Sequence, residues 1–174
     1  MNLIIEELKS ILKYSPSEGC FYWKVNRRTA KAGDRAGWVN FEGYEYIQIK
    51  RKTHYIHRLV WLFETGVNPV DEIDHINGER RDNRFSNLRE ATRSENCKNV
   101  FGQKNNNSGL RGIHFYKGRN LTKRWYVQIR CDHKLHCVGY FLTKEEAVSA
   151  WNTKASELYG EFFRPQELKT QQAG

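Results

Sequence analysis

At 174 residues the chain has room for one domain or two small ones, and 28% charged with 13% aromatic residues is too aromatic for a disordered chain and polar enough to be soluble. Twenty-nine Lys and Arg against 20 Asp and Glu leave a formal charge of +9 and a pI near 9.4, which favours a polyanionic partner, nucleic acid before an acidic membrane surface, although the same excess also serves solubility alone. No apolar run approaches the roughly 18 residues of a membrane span. The first residues lack the basic start and cleavage pattern of a leader, and Cys20, Cys97, Cys131 and Cys137 form no C-x-x-C pair, so reduced thiols in a cytosol are expected rather than structural zinc.

Leu3, Ile4, Leu8, Ile11 and Leu12 recur at helical spacing and predict an amphipathic helix that Ser15-Pro16 ends. Residues 20–25 (CFYWKV) read as a strand. Arg27, Arg28, Lys31 and Arg35 then fall in a Gly-containing loop, which is either a phosphate-contacting arm or a solvated loop. Residues 44–50 alternate, with Tyr44, Tyr46 and Gln48 on one side and Glu45, Ile47 and Ile49 on the other; a turn at 50–52 and a returning strand at 53–57 complete a hairpin. A short apolar helix over 58–65 follows, with Gly66 as its C-terminal cap. His57, at its start, reads as a hydrogen-bonded structural residue and is kept out of the catalytic set.

Residues 73–96 (IDHINGERRDNRFSNLREATRSEN) carry the candidate chemistry. Strands over 72–76 and 88–91 are predicted to flank an ordered polar loop over 77–87, in which Gly78 suits a positive φ. Thr92 with Glu95 three residues on is a capping box that opens a helix bearing Asn96. An imidazole, whose ordinary pKa is about 6.5, can take a proton from water at neutral pH. A carboxylate and a carboxamide are the oxygen donors of a hard cation that keeps water and phosphate as its other ligands. Successive strand residues face opposite ways, so Asp74 and His75 must sit where the strand gives way to the loop if both are to act at one place.

The second half is organised differently. Residues 99–107 (NVFGQKNNN) drop in hydrophobicity and mark the boundary. Beyond them, residues 110–115, 124–130 and 135–141 read as three strands, and the Thr143-Lys144-Glu145-Glu146 box opens a helix with Ala147, Trp151, Ala155 and Leu158 on one face. A three-stranded sheet covered by one helix leaves its other face open. Residues 107–141 hold seven Lys or Arg against one acid, a local charge of +6. Residues 165–174 read as a polar, frayed tail.

Two resemblances organise these readings. The string from His57-Arg58-Leu59-Val60-Trp61 through Asp74-His75, Asn87-Leu88-Arg89 and Asn96 resembles the HNH endonucleases, specifically the homing-endonuclease-like members common in phage genomes. That resemblance implies a ββα-metal unit, His75 as general base, Asp74 and Asn96 as ligands of one divalent ion, and Asn87 as the residue that braces the loop and orients His75. Asn96 stands where the family often has histidine, which favours Mg²⁺ or Mn²⁺ over a softer ion. Residues 108–163 resemble the Apetala-2/ethylene-response-factor DNA-binding domain through Gly109-Leu110-Arg111-Gly112-Ile113, residues 124–130 (RWYVQIR), Val138-Gly139-Tyr140-Phe141 and the helix-opening box. That likeness implies a sheet laid in the major groove, with Arg111, His114, Arg124, Tyr126, Gln128 and Arg130 at the DNA. Leu135 and Cys137 replace the Arg and Trp frequent on the family's third strand, so its base preference does not transfer.

The expectation is therefore an α+β protein. Its N-terminal β-hairpin and helix lobe (1–100) holds the ββα-metal unit at about 70–100. A linker (101–107) leads to a three-stranded antiparallel sheet packed on one helix (108–163) and a flexible tail (164–174). The expected function is metal-dependent nicking of double-stranded DNA by a monomer or weak dimer with no membrane role and no obligate protein partner, acting in the cytoplasm of a phage-infected bacterium. The alternative is a non-enzymatic DNA-binding regulator with a decayed HNH motif.

Overall fold

The computed structural model describes residues 5–99, 108–116, 122 and 124–168. The expected linker at 101–107 lies outside the described residues, as do Leu3, Ile4 and residues 169–174 of the expected tail. By internal contacts the chain divides into two units, 1–93 and 94–174, each taken by itself below.

The first unit opens with α1 (Ile5–Ile11), which ends one residue before the apolar spacing predicts. Leu12 belongs instead to β1 (Leu12–Ser15), paired antiparallel with β2 (Cys20–Trp23) from Leu12↔Trp23 to Ser15↔Cys20. The strand wins here because a two-residue alternation sends both Leu12 and Tyr14 into the core, whereas one further helical turn would carry only one of them there. Strand β3 (Arg35–Ala36) joins the other edge of β2. A second sheet has the order β4 (Trp38–Val39), β5 (Glu45–Ile49), β6 (Lys52–Tyr55). The β5–β6 hairpin turns through Lys50 and Arg51, both at positive φ (49° and 64°), the geometry that matches strand twist.

Helix α2 (Ile56–Thr65) starts two residues earlier than the sequence predicts, so His57 lies within it. Gly66, at φ 76°, closes it by donating its N–H to the Leu62 carbonyl, as expected. Leu8, Phe21, Ile47, Ile49, Ile56, Leu59 and Val60 form the centre of one core with Ile73 and Leu88 from the last pair of strands, β7 (Glu72–His75) and β8 (Leu88–Ala91). A 3₁₀ turn, Phe85–Asn87, leads into β8. Helix α3 (Arg93–Lys98) follows β8 in the chain, and from Ser94 onward its residues group with the second unit.

The second unit is built on an antiparallel sheet of β9 (Ile113–Phe115), β10 (Trp125–Cys131) and β11 (Lys134–Phe141), with β10 in the middle. Val127, Ile129 and Cys131 face α4 (Lys144–Tyr159) and pack with Ala147, Trp151, Ala155 and Tyr159. Thr143 caps α4 by accepting the Glu146 N–H at 3.1 Å, half of the predicted box. The carboxylate of Glu146 reaches back one residue further than the box requires, to the Leu142 N–H at 3.1 Å. Residues 164–168 carry Gln166, a buried side chain that brackets the Arg111 backbone: its Oε1 accepts the Arg111 N–H at 2.5 Å and its Nε2 donates to the Arg111 carbonyl at 3.0 Å.

Candidate active site

Strand β7 ends at His75, the junction that the opposite-face argument requires. Asp74 pairs across the ladder with Arg89, whose Nε and Nη2 both donate to Asp74 Oδ2 at 2.9 and 2.8 Å. The two side chains are 5% and 14% exposed, so this is a buried ion pair whose disruption would leave an uncompensated charge. His75 turns the other way. Its ring meets His57 edge-on at 5.1 Å between centroids and lies 6.3 Å from Tyr44.

Burial holds the His75 pKa below the ordinary imidazole range, against the upward pull of its hydrogen bond to Asn83 and of Asp74. The ring is therefore neutral at pH 7, the state a general base needs. His57 is pushed further, to about 3, first by burial and then by the charge of a protonated His75. Its Nδ1 is buried with no hydrogen-bond partner among the described residues. The sequence reading of His57 as a hydrogen-bonded structural histidine is thus corrected at that nitrogen: what holds the ring is tilted and edge-on contact with Tyr44, Tyr55 and His75.

The loop from 76 to 87 is held from inside. Asn87, buried, accepts the Asn77 N–H on Oδ1 at 3.0 Å and donates from Nδ2 to Asn77 Oδ1 and to the Asp82 carbonyl at 3.0 and 2.8 Å. Asp82 accepts a fork from Arg84, the first cause of a pKa lowered to about 2. Tyr14 pins the backbone by donating to the Asn83 carbonyl and accepting the Phe85 N–H. The resemblance assigns both bracing and orienting to Asn87. In the structure Asn87 bonds within the loop, and the side chain beside the imidazole is Asn83, whose Oδ1 lies 2.9 Å from His75 Nε2.

Asn83 is fully buried, and its Nδ2 donates to Glu45 Oε2 at 3.0 Å. Glu45 in turn accepts from Arg35 on Oε1 at 2.8 Å. The sequence reading passed over Asn83 and Glu45, but it held a signal for the second. Glu45 shares the parity of Ile47 and Ile49, and all three are buried; a carboxylate on the apolar side of a strand needs a built partner. At the loop's rim Arg80 stacks over Tyr44 at 4.7 Å and donates to the Glu42 carbonyl, while Arg80, Arg81 and Arg84 are exposed.

Among the described residues no three His, Cys, Asp or Glu side chains converge as a metal cage of their own. The expected ligands Asp74, on β7, and Asn96, on α3, both carry oxygen donors, the kind that a hard cation takes. Asp74 and His75 belong to the first unit, whereas Asn96, half-buried, groups with the second.

In the second unit Tyr126, Gln128 and Arg130 lie on the sheet face away from α4, with Arg124 at the same parity. Across the ladder His114 and Tyr140 flank Tyr126, and Cys137 faces Gln128. Cys137 and Tyr140 share that face although three residues apart, because the register shifts between Val127 and Gln128 and leaves Val138 as the extra residue. Tyr126 stacks 4.8 Å from Tyr140, and Gln128 Nε2 lies 3.0 Å from His114 Nε2. Arg111 is placed elsewhere: its guanidinium lies over Tyr159 at 5.2 Å and its Nη1 donates to the Lys98 carbonyl of α3 at 2.8 Å.

A sequence model described as HNH endonuclease matches residues 54–98. The chain is 32% identical over 115 residues to a protein named "Uncharacterized HNH endonuclease L560" of Acanthamoeba polyphaga mimivirus, an alignment covering 65% of this chain and 57% of the viral one. It is 33% identical over 109 residues to "Protein 3.8" of Escherichia phage T7, covering 62% of this chain and 87% of the phage protein. The chain thus spans little more than half the length of the mimivirus relative. No solved structure matches it. No helix of the described residues is long and apolar enough to cross a membrane.

Proposed function

Because the chain belongs to the HNH endonuclease family, we propose that it hydrolyses phosphodiester bonds in duplex DNA, with His75 as general base and one divalent ion, Mg²⁺ or Mn²⁺, held by Asp74 and Asn96. The observation that carries this reading is His75 itself: buried, neutral at pH 7, fixed at the end of β7 and next in sequence to a buried carboxylate. His75 takes the proton of the water that attacks phosphorus. The bound ion supplies Lewis-acid relief of charge on the phosphoryl and leaving oxygens. Asn87 keeps the loop folded around the imidazole, and the exposed Arg80, Arg81 and Arg84 meet the flanking phosphates. The sequence carries one such string, so a monomer cuts one strand per binding event, and a double-strand break needs a dimer or two successive events.

The sheet of the second unit, read with its resemblance to the Apetala-2 type, selects the DNA. Tyr126, Gln128, Arg130, His114 and Arg124 share the face that would enter the major groove, and Arg111 supports that unit from within. One observation favours the other reading, a DNA-binding protein with a decayed nuclease motif: the fork from Arg89 already neutralises Asp74. Incubating supercoiled plasmid with the protein and Mg²⁺, with an EDTA control, separates the two. Nicked circles are expected with wild type and none with His75→Ala, which still shifts DNA in a gel. Wild-type protein that shifts DNA but leaves it supercoiled sinks the nuclease reading.

A further inference from the structure

His75 is held by a chain of hydrogen bonds that leaves the HNH string after one step and runs into a different sheet. Asn83 lies on the loop, Glu45 on β5 and Arg35 on β3, and the links measure 2.9, 3.0 and 2.8 Å. Each link has a polarity. A carboxamide turned by 180° fills the same space but exchanges its donor and acceptor, so shape alone leaves the Asn83 amide undecided. Glu45 decides it. As a carboxylate paired with Arg35 it offers only acceptors, so Asn83 must present Nδ2 to Oε2. The reverse orientation would face two oxygens at 3.0 Å where both residues are buried. Oδ1 of Asn83 then points at His75, and only a ring nitrogen bearing hydrogen can meet it.

We propose that Glu45 is a positioning residue which, through Asn83, fixes His75 in the Nε2–H tautomer and so makes Nδ1 the nitrogen that accepts the proton from water. A neutral imidazole has one donor and one acceptor, and the assignment of one nitrogen assigns the other. The Nδ1–H form would leave the base with no lone pair on the side away from Asn83. The proton-accepting role rests on the nuclease reading above; the tautomer does not.

The placement of Glu45 supports a built device. It occupies the core parity of β5 beside Ile47 and Ile49, where an aliphatic side chain would fit the pattern without the cost of burying a charge. Its partner Asn83 is the loop's fully buried side chain, and the Asn83 backbone is held independently by Tyr14 and by the close approach of Gly19. The amide therefore stays in place while its orientation depends on Glu45.

The test is the ¹⁵N correlation spectrum of the His75 imidazole in metal-free protein at neutral pH, with nicking turnover measured alongside. The wild type is expected to show Nε2 protonated and Nδ1 bare; Nδ1–H there overturns the proposal whatever the variants do. In Glu45→Gln, nearly the same shape, residue 45 can present either a carbonyl or an amide to Asn83. The tautomer is then expected to shift towards Nδ1–H and turnover to fall by about 10–100-fold, as for other orienting partners of imidazoles. Adding Asn83→Asp to Glu45→Gln puts an acceptor-only group at 83 and a donor at 45, and is expected to restore both Nε2–H and most of the turnover. A Glu45→Gln protein that loses activity with Nε2–H intact overturns the proposal, as does a double variant left in the single variant's tautomer. If the wild type shows Nε2–H but never nicks DNA, the nuclease reading fails and the tautomer lock stands.

Discussion

His57 gives the sharpest pH prediction. In the folded protein its pKa is lowered to about 3 by burial and by neighbouring positive charge; in the unfolded chain it returns to about 6.5. Between those two values the unfolded chain binds a proton that the folded chain does not, so stability rises with pH through this window and is lost as pH falls. At pH 7 the contribution is nearly complete. At pH 5 the unfolded imidazole is almost fully charged and the folded one is still neutral, and linkage gives a loss of about 2 kcal/mol. That figure hardly changes if the folded value lies anywhere below pH 4. His57→Phe keeps a ring against Tyr44, Tyr55 and His75 but removes the titration. Any packing cost of the larger ring is the same at both pH values and cancels in the difference. Urea denaturation at pH 7 and pH 5, followed through amide signals of the N-terminal unit, measures it. With m near 1–3 kcal/mol per M, the wild type should lose roughly 1 M more in midpoint than the variant. Parallel losses in the two proteins would show that His57 is not held neutral in the fold, and the argument from its burial would fail.

Three further outcomes follow from the site. Gly19, at φ 66°, has the backbone of Asn83 and Arg84 where a Cβ would stand, so Gly19→Ala should cost about 1–3 kcal/mol in denaturant melts and lower nicking with it; an unchanged midpoint contradicts that packing. Arg89→Met leaves Asp74 buried without its guanidinium, for a loss of roughly 3–5 kcal/mol in EDTA. Mg²⁺ should recover part of that loss in a thermal melt, and the same response in wild type and variant argues against Asp74 as a ligand. In the second unit, Arg130→Ala should lower the slope of log K against log salt by about 1 if Arg130 meets a phosphate; an unaltered slope places it off the DNA.

How much of this was legible depends on the range of each interaction. Asp74, His75, Asn87 and Asn96 stand out as candidates because their chemistry is written in one short string, and β7, β8 and α3 fall where that string puts them. Gly66 and the Thr143 cap were legible for the same reason, each needing only its own neighbours. Leu12 was misplaced because its apolar spacing suits a helix while its pairing with Trp23, which lies beyond the turn, makes it a strand residue. Arg111 looked like one of a set of exposed cations, and nothing local indicates that Tyr159 and the Lys98 carbonyl hold it. Gln166 is itself polar and carries no sequence mark of burial, and its burial comes with a clamp on a backbone 55 residues away.

Glu45 falls between these cases, and it shows what kind of signal a single sequence does hold for a long-range partner. The alternation of β5 places it inward, and an inward carboxylate is a statement that some donor elsewhere in the chain must reach it. The sequence cannot say which donor, because Asn83 lies 38 residues on and Asn77, Asn83 and Asn87 are alike as residue types. The structure separates those three by burial and direction: Asn77 stays at the exposed turn, Asn87 closes the loop on itself, and Asn83 alone of the three joins the imidazole to Glu45. A motif scan therefore reaches His75 and the loop that carries it. On the tautomer proposal the polarity of the imidazole is set from a strand outside the motif, in a buried network whose members are each satisfied only if the others keep their orientation.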